Sequence, residues 1–281
     1  MAKNKQAPAA ALTWTTLEVV RQGPVELVGL ARPKVHNAFD ETLIAELTAA
    51  VRAAADAPDV RVIVLHGTGA SFCAGADLEW MKRMAGYGHA ENLADAKALA
   101  EMLSTIANCP KPTVACVNGP AYGGGVGLVA CCDIAIGTSD GYFALSEAKL
   151  GLIPATISPY VVAAIGARQA QRYFITGERF SAAEAYRIGL LHDIVPPGEL
   201  DARVNEVLGA LLLAGPKAQR ESKLLVRAVA NRAVDAPLIA DTAERIARIR
   251  ATDEAREGIA AFLGKRAPPW VPKGLKSGKG R

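Results

Sequence analysis

The stretch Asn118-Gly-Pro-Ala-Tyr-Gly-Gly-Gly-Val-Gly-Leu128 carries the strongest structural signal in this sequence. It follows the β-branched run Thr113–Val117, which predicts a buried strand, and it leads into a short helical segment. The start of a helix exposes unpaired backbone N–H groups and a partial positive charge. Glycine lets a ligand approach the backbone closely. The stretch therefore predicts a loop that can bind a negatively charged oxygen.

A second loop of the same kind is Ser71-Phe-Cys-Ala-Gly-Ala-Asp-Leu78, which follows a predicted strand at 60–65 and leads into a helix. Two such loops facing each other would direct two N–H donors at one oxygen. This arrangement stabilises an enolate or oxyanion, and loss of one donor typically lowers the rate roughly 10²–10³-fold. For either loop alone, tight packing of a helix on a strand is the simpler explanation of the small residues.

Strand and helix patterns alternate along the first two thirds of the chain, which predicts an α/β fold. Asp40 can cap the first helix, and Pro110 and Pro112 end a later one. The predicted strands cover 15–20, 25–30, 60–65, 113–117 and 133–136, and the longest predicted helix covers 90–107.

Strand patterns stop after about residue 196, and Pro196-Pro197-Gly198 is the predicted boundary of a helical region. Apolar residues of its first helix share one face, and the sequence leaves open whether this region packs on its own core or on a second subunit. The predicted organisation is a tail without structure at 1–12, an α/β core at 13–196, a helical region at 197–264 and a basic flexible tail at 265–281. The residues of the apolar face are Val204, Val207, Leu208, Leu211 and Leu212.

Composition and charge exclude several classes of protein. Apolar residues make up 51% of the 281 residues, and no apolar run is long enough to span a bilayer. The formal charge is +4, but residues 265–281 contain six basic side chains and no acid, so the remainder carries −2. We therefore expect no nucleic-acid partner and no membrane partner. The five cysteines are odd in number and lack C-x-x-C spacing, which favours buried thiols in the cytoplasm.

Together with three further stretches, the two loops resemble the enoyl-CoA hydratase/isomerase family, the crotonase superfamily, over essentially the whole chain. The resemblance implies a crotonase-type spiral of ββα units with a C-terminal helical trimerisation region. It also implies a homotrimer or a dimer of trimers that acts on an acyl-CoA substrate and needs no separate cofactor. The further stretches are Arg32-Pro-Lys-Val-His-Asn-Ala38, Cys132-Asp-Ile134 and Ser146-Glu-Ala-Lys-Leu-Gly-Leu-Ile-Pro154.

The resemblance also implies roles for individual residues. The backbone N–H groups of Ala76 and Gly124 would hold the thioester oxygen, and Glu147 would move protons on the acyl chain. Met81 and Met84 could form the acyl pocket or belong to a core stripe. The predicted contacts to substrate and coenzyme A are Lys34, Asn37, Ala38, Ala74, Gly75, Asp77, Trp80 and Gly123.

One position departs from the family pattern, since hydratases of the family carry two glutamates and Gly127 stands at the first position. The loss could mark an isomerase, a hydratase for an unusual substrate, or an inactive relative. Several strings resemble bacterial methylglutaconyl-CoA and isohexenylglutaconyl-CoA hydratases, whose substrates carry a second carboxylate that could help to position water. We therefore expect hydration of a methylglutaconyl-CoA-like substrate, with an isomerase that uses one glutamate as the alternative.

Two further alternatives come from other classes of protein. Gly125-Val-Gly-Leu-Val-Ala130 fits the G-x-G-x-x-A pattern of a Rossmann NAD-binding enzyme, with Asp140 after the next strand. The helix there is short for a crossover connection. The basic tail could bind RNA, in which case the affinity for RNA would fall steeply with salt concentration.

The four histidines lack ligand spacing, so we expect no metal.

Overall fold

The computed structural model describes residues 13–275, so the predicted tail at 1–12 and the last six residues of the basic tail lie outside it. The described chain contains nine strands and ten α-helices. The strands are β1 (Leu17–Gln22), β2 (Val25–Leu30), β3 (Val62–Gly67), β4 (Thr113–Val117), β5 (Ala121–Tyr122), β6 (Ile134–Thr138), β7 (Tyr142–Ala144), β8 (Arg179–Ser181) and β9 (Asp193–Val195). The helices are α1 (Glu41–Asp56), α2 (Leu78–Met84), α3 (His89–Ala107), α4 (Gly124–Cys131), α5 (Ser158–Thr176), α6 (Ala182–Arg187), α7 (Leu200–Leu213), α8 (Pro216–Val229), α9 (Ala236–Arg250) and α10 (Asp253–Leu263).

The main sheet has the order β1-β2-β3-β4-β6-β9, and all neighbours except the β1–β2 hairpin are parallel. Strand order therefore follows chain order. A Rossmann sheet reverses its strand order at a switch point, where the cofactor binds. The main sheet has no such reversal, so the Rossmann alternative is wrong.

A second layer of short extended segments explains the spiral. Strands β5, β7 and β8 form a small sheet, and single bridges pair Phe39 with Ala76 and Cys73 with Ala121. Each of the parallel strands β2, β3, β4 and β6 is thus followed by a short extended segment and then by a helix. This repeat confirms the predicted spiral of ββα units. The short strands escaped prediction because two or three residues show no periodicity.

The main sheet is covered on both faces. On one face α1 and α3 bury Leu43, Leu47, Met102, Leu103 and Ile106 against the sheet. On the other face α7 buries its predicted apolar side against the strands. The first helix of the C-terminal region therefore packs on the chain's own sheet, whereas α10 leaves Phe262 and Leu263 exposed by 83% and 74%.

The predicted basic tail begins with residues that contact the body. The indole N–H of Trp270 donates to the carbonyl oxygen of Leu213 at 3.1 Å, and the guanidinium of Arg61 donates to the carbonyl oxygen of Trp270 at 3.0 Å. Leu275 packs against the α7 cluster. The described part of this segment is thus held against the domain, which differs from the expectation of a flexible tail over 265–275.

Two further findings concern the cysteines and the apolar character of the helices. All five cysteines are buried and unpaired, as expected. None of the helices within residues 13–275 is both long enough and apolar enough to cross a membrane.

We predict that Asn37 stabilises the fold. Its backbone lies in the left-handed region, with φ +57°, and its buried amide accepts one hydrogen bond from the N–H of Arg32 within the loop after β2. It donates two more to the carbonyl oxygens of Thr68 and Ser71, which tie this loop to the loop after β3. Asn37→Ala should lower the free energy of unfolding by about 3 kcal/mol, because buried partners lose their hydrogen bonds. Denaturant titration measures this change.

The matched control is Asn231→Ala, since Asn231 has φ +56° but is exposed. It should cost about 1 kcal/mol or less, the strain of a left-handed backbone alone. Equal losses in both variants would contradict a role for the buried amide.

Candidate active site

The two loops identified from the sequence open into one cavity of about 530 Å³. It lies between the loops, α2, α3 and the segment after β7. The three predicted catalytic residues line it, and so do four of the predicted binding residues. The predicted residues in this lining are Ala74, Gly75, Ala76, Trp80, Gly123, Gly124 and Glu147.

The loops approach each other so closely that side chains would not fit between them. A Cβ atom added to Gly75 would lie 2.8 Å from the carbonyl oxygen of Tyr122 and 3.6 Å from the nitrogen of Gly124. A Cβ atom added to Gly125 would lie 2.3 Å from the carbonyl oxygen of Cys73. The N–H of Tyr122 donates to that same oxygen at 2.9 Å. Glycine at both positions is therefore a requirement of the contact.

The N–H groups of Ala76 and Gly124 remain free where the loops meet. Around Ala76, the single bridge to Phe39 uses the carbonyl of Gly75 and the N–H of Asp77, and not the N–H of Ala76. Gly124 is the first residue of α4, where a helix has no internal acceptor. Within residues 13–275 neither N–H has a hydrogen-bond acceptor. Two unpaired donors in one cavity can hold one oxygen that gains negative charge.

Glu147 follows β7 in a short 3-10 turn, Glu147–Leu150, and lines the cavity beside the loops. Its Oε2 atom is buried and has no hydrogen-bond partner among the described residues. Burial raises the pKa of Glu147 above the ordinary glutamate value. A carboxyl with an unpaired oxygen and a raised pKa is suited to accept and return a proton.

Gly123 positions this carboxyl. Its backbone has φ +49°, and a Cβ atom there would lie 3.2 Å from Oε1 of Glu147. The N–H of Gly123 donates to the carbonyl oxygen of Ala144 at 2.8 Å, which ties the loop to the end of β7. Gly123 thus leaves room for the carboxyl of Glu147 and directly precedes Gly124, whose N–H is free among the described residues.

Ile157 occupies the space beside Gly127, the position at which the sequence departs from the two-glutamate pattern of the family that it resembles. A Cβ atom added to Gly127 would lie 2.3 Å from Cγ2 of Ile157, which is 2% exposed. The departure seen in the sequence is therefore matched by a branched apolar side chain that fills the gap. Among the described residues, Glu147 and Asp95 are the carboxylates that line the cavity, and Glu147 is the one beside the glycine that precedes Gly124.

The rest of the cavity wall is largely apolar and carries no positive charge. Trp80, Met81 and Met84 line it, but Trp80 also belongs to the main core cluster and Met84 packs against that cluster. Both interpretations of these residues, acyl-pocket wall and core stripe, therefore remain predictions. Its polar side chains come from Asn92, Asp95, Ser146, Glu147 and Thr156, and no lysine or arginine among the described residues lines it.

Four predicted binding residues lie outside the cavity lining. The amide of Asn37 is fully buried and serves the fold. Asp77 caps α2 and pairs with Arg32 at 3.0 Å. Burial alone would raise the pKa of Asp77, but the N–H groups of Trp80 and Glu79 and the charge of Arg32 outweigh this effect and lower the pKa. Ala38 is buried, and Lys34 is exposed on the turn Pro33–Val35.

Several lining residues were missed from the sequence. Ile157 reaches the site because α5 passes behind α4, and Asp95 reaches it because α3 faces α2. Neither has a local pattern that distinguishes it from an ordinary helix residue. The glycine at 127 was the available signal, because a missing side chain in a packed site requires a neighbour to fill the space.

Comparison with known proteins agrees with this geometry. The family model for enoyl-CoA hydratase/isomerase matches residues 21–273. An enoyl-CoA hydratase structure from Shewanella pealeana superimposes with a TM-score of 0.89 at 41% identity, covering 91% of this chain and 96% of that one. Pseudomonas aeruginosa AtuE gives 0.87 at 34%, covering 92% and 100%. Crotonyl-CoA hydratase of Syntrophomonas wolfei is 30% identical over 93% of this chain and all of its own length. The chain therefore belongs to the enoyl-CoA hydratase/isomerase family.

Proposed function

We propose that this enzyme hydrates an α,β-unsaturated acyl-CoA thioester, with Glu147 as its single acid and base. The observation that carries the proposal is the unpaired buried oxygen of Glu147 in the same cavity as two free N–H groups. The N–H groups of Ala76 and Gly124 donate hydrogen bonds to the thioester oxygen and stabilise the negative charge that develops on it when water adds to the double bond.

The proton path needs one carboxyl group. The ionised carboxylate of Glu147 takes a proton from water as the water oxygen bonds to Cβ, and the electron pair of the double bond moves to the thioester oxygen. The resulting carboxylic acid then donates that proton to Cα as the enolate collapses. The hydroxyl group and the proton of one water molecule thus add to the same face of the double bond, and Glu147 is ionised again at the end. This chemistry uses no metal and no cofactor apart from the coenzyme A of the substrate.

The identity of the acyl group is a narrower proposal. A methylglutaconyl-CoA-like substrate rests on the sequence resemblance alone. Within the described residues the amide of Asn92 is a hydrogen-bond donor in the lining, whereas Asp95 and Glu147 are acidic and no cation is present. A second carboxylate would therefore lie at the solvent-exposed mouth or pair with a cation from another copy of the chain.

An isomerase is the second candidate, and the presence of Glu147 in the cavity favours it over an inactive protein. Migration of a double bond needs one base that carries a proton from one carbon to another, and the site retains that base. Turnover of a 3-enoyl-CoA without hydration of a 2-enoyl-CoA would identify this activity.

The proposed assembly is a homotrimer or a dimer of trimers. Apolar side chains on the C-terminal helices support it, because Ile259, Phe262 and Leu263 of α10 are 55%, 83% and 74% exposed in the single chain. Exposed apolar surface of this kind marks an interface.

The first prediction concerns Glu147. Glu147→Gln should lower kcat for hydration by roughly 10²–10⁴-fold, because the general acid and base is lost. Hydration of crotonyl-CoA and 3-methylglutaconyl-CoA is followed by loss of enoyl absorbance in wild type and variant. A preference for the diacid in the wild type would support the narrower proposal, and equal rates would remove it.

The same variant should melt at a higher temperature than wild type at neutral pH. A raised pKa means that the folded state favours the protonated carboxyl, and this stabilisation is lost as pH rises through that pKa. Neutral glutamine avoids the cost of a buried charge. Lower activity without higher stability would indicate that Glu147 supports the fold.

The second prediction concerns the missing carboxylate. Gly127→Glu alone should reduce activity, because its Cβ would overlap with Ile157. Gly127→Glu combined with Ile157→Ala should recover hydration of crotonyl-CoA to at least tenfold above the single variant. Ile157→Ala alone is the control, and equal rates for the double variant and this control would contradict the steric explanation.

The third prediction concerns assembly. Sedimentation equilibrium should give a mass of three or six chains of 29.4 kDa each. Phe262→Glu should shift the protein toward single chains, because a charge replaces an apolar contact. A monomeric wild type would contradict the proposed trimer.

A further inference from the structure

A second cavity lies directly behind the wall of the candidate active site. It has a volume of about 570 Å³ and lies between α1 and α3. It is a groove open to solvent, because Ala45, Ala49 and Ala98 are exposed and only Ile44 of its aliphatic lining residues is buried. The exposed charged side chains of Glu41, Arg52 and Glu101 also line it. Of the described residues, Trp80 and Asp95 are the two that line both this cavity and the active-site cavity.

Trp80 and Asp95 are joined across this wall. The indole N–H of Trp80 donates to Oδ2 of Asp95 at 3.1 Å. The other end of the residue is also held, because its backbone N–H donates to the capping carboxylate of Asp77 at 3.2 Å. Trp80 is 4% exposed. The indole is therefore fixed at its backbone and at its ring, and its position does not depend on the substrate.

We propose that Trp80, held by Asp95, limits the length of the acyl chain that the enzyme accepts. The inference rests on the proposed acyl-CoA function. A short acyl chain ends before the indole, whereas a longer alkyl chain would collide with it. Without the indole, the chain could pass between α1 and α3 into the second cavity, over Ile44 and the alanines there.

The gain from such an extension is set by apolar burial. Each methylene moved from water to apolar surroundings favours binding about fourfold. Several methylenes would enter the second cavity, although part of it is open to water. We therefore expect a shift in chain-length preference of at least about tenfold.

The test measures kcat/KM for straight-chain trans-2-enoyl-CoA substrates of four to sixteen carbons. In Trp80→Ala the ratio of the ten-carbon to the four-carbon value should rise at least tenfold above that of wild type. Trp80→Phe is the matched control, since it retains most of the wall, and its ratio should stay within about threefold of wild type.

A second substitution closes the opening. Ala98 lines only the second cavity, so Ala98→Phe in the Trp80→Ala background should reverse the gain for long chains. If Trp80→Ala does not fold, as judged by circular dichroism and melting, Trp80→Leu replaces it in every measurement. An unchanged ratio in the folded variant overturns the proposal, and so does a gain that persists when Ala98→Phe is added.

Binding of unreactive thioesters separates this proposal from the proposed reaction. Calorimetry with butyryl-CoA and decanoyl-CoA should show the same tenfold change in relative Kd between wild type and Trp80→Ala. If wild type hydrates no enoyl-CoA, the proposed reaction fails while the change in Kd still supports the wall. If hydration occurs but relative Kd and relative kcat/KM both stay constant, the wall proposal alone fails.

Discussion

The close approach of two loops is the constraint on which the site depends. Gly75 and Gly125 face backbone oxygens of the opposite loop at distances where a side chain would not fit. This contact uses neighbouring N–H groups and leaves those of Ala76 and Gly124 without acceptors among residues 13–275. The parallel strands bring the loops together, since β3 and β4 are neighbours and both loops leave from the same edge. Sheet topology thus creates the pair of donors.

Burial of the Glu147 carboxyl lowers the stability of the folded protein. Glu147 has a buried oxygen without a partner, and burial disfavours its charged form. Such a group persists in a fold when the surrounding structure holds it, here the 3-10 turn after β7 and the open space at Gly123. Ile157 fills the space beside Gly127, and the other lining carboxylate, Asp95, accepts a hydrogen bond from Trp80, so the proposed reaction assigns both proton transfers to Glu147.

Much of this account could be predicted from the sequence, and the reasons differ between elements. The glycine loops and Glu147 were accessible because each signal lies in a contiguous run after a strand. The apolar face of α7 was visible from helical spacing, although its place on the main sheet was not. Ile157 and Asp95 could not be predicted, since their positions depend on how one helix packs on another, which no local sequence pattern shows. The contact of Asn37 with coenzyme A stays a prediction, while the burial of its amide, which the sequence does not reveal, gives the side chain a role in the fold.

The pH dependence of kcat/KM for hydration of crotonyl-CoA tests the claim of a single acid and base most directly. The enoyl thioester itself does not titrate near neutrality, and the coenzyme A phosphate, with a second pKa of about 6, is the same for wild type and variant. An ionisation that is present in wild type and lost in Glu147→Gln therefore belongs to the free enzyme. We expect activity to rise with pH through one enzyme ionisation above the ordinary glutamate value, because Glu147 must be ionised to take a proton from water. The same rise should be absent from the residual rate of Glu147→Gln. An acid-side profile that is the same in wild type and in Glu147→Gln would contradict the claim of a single acid and base.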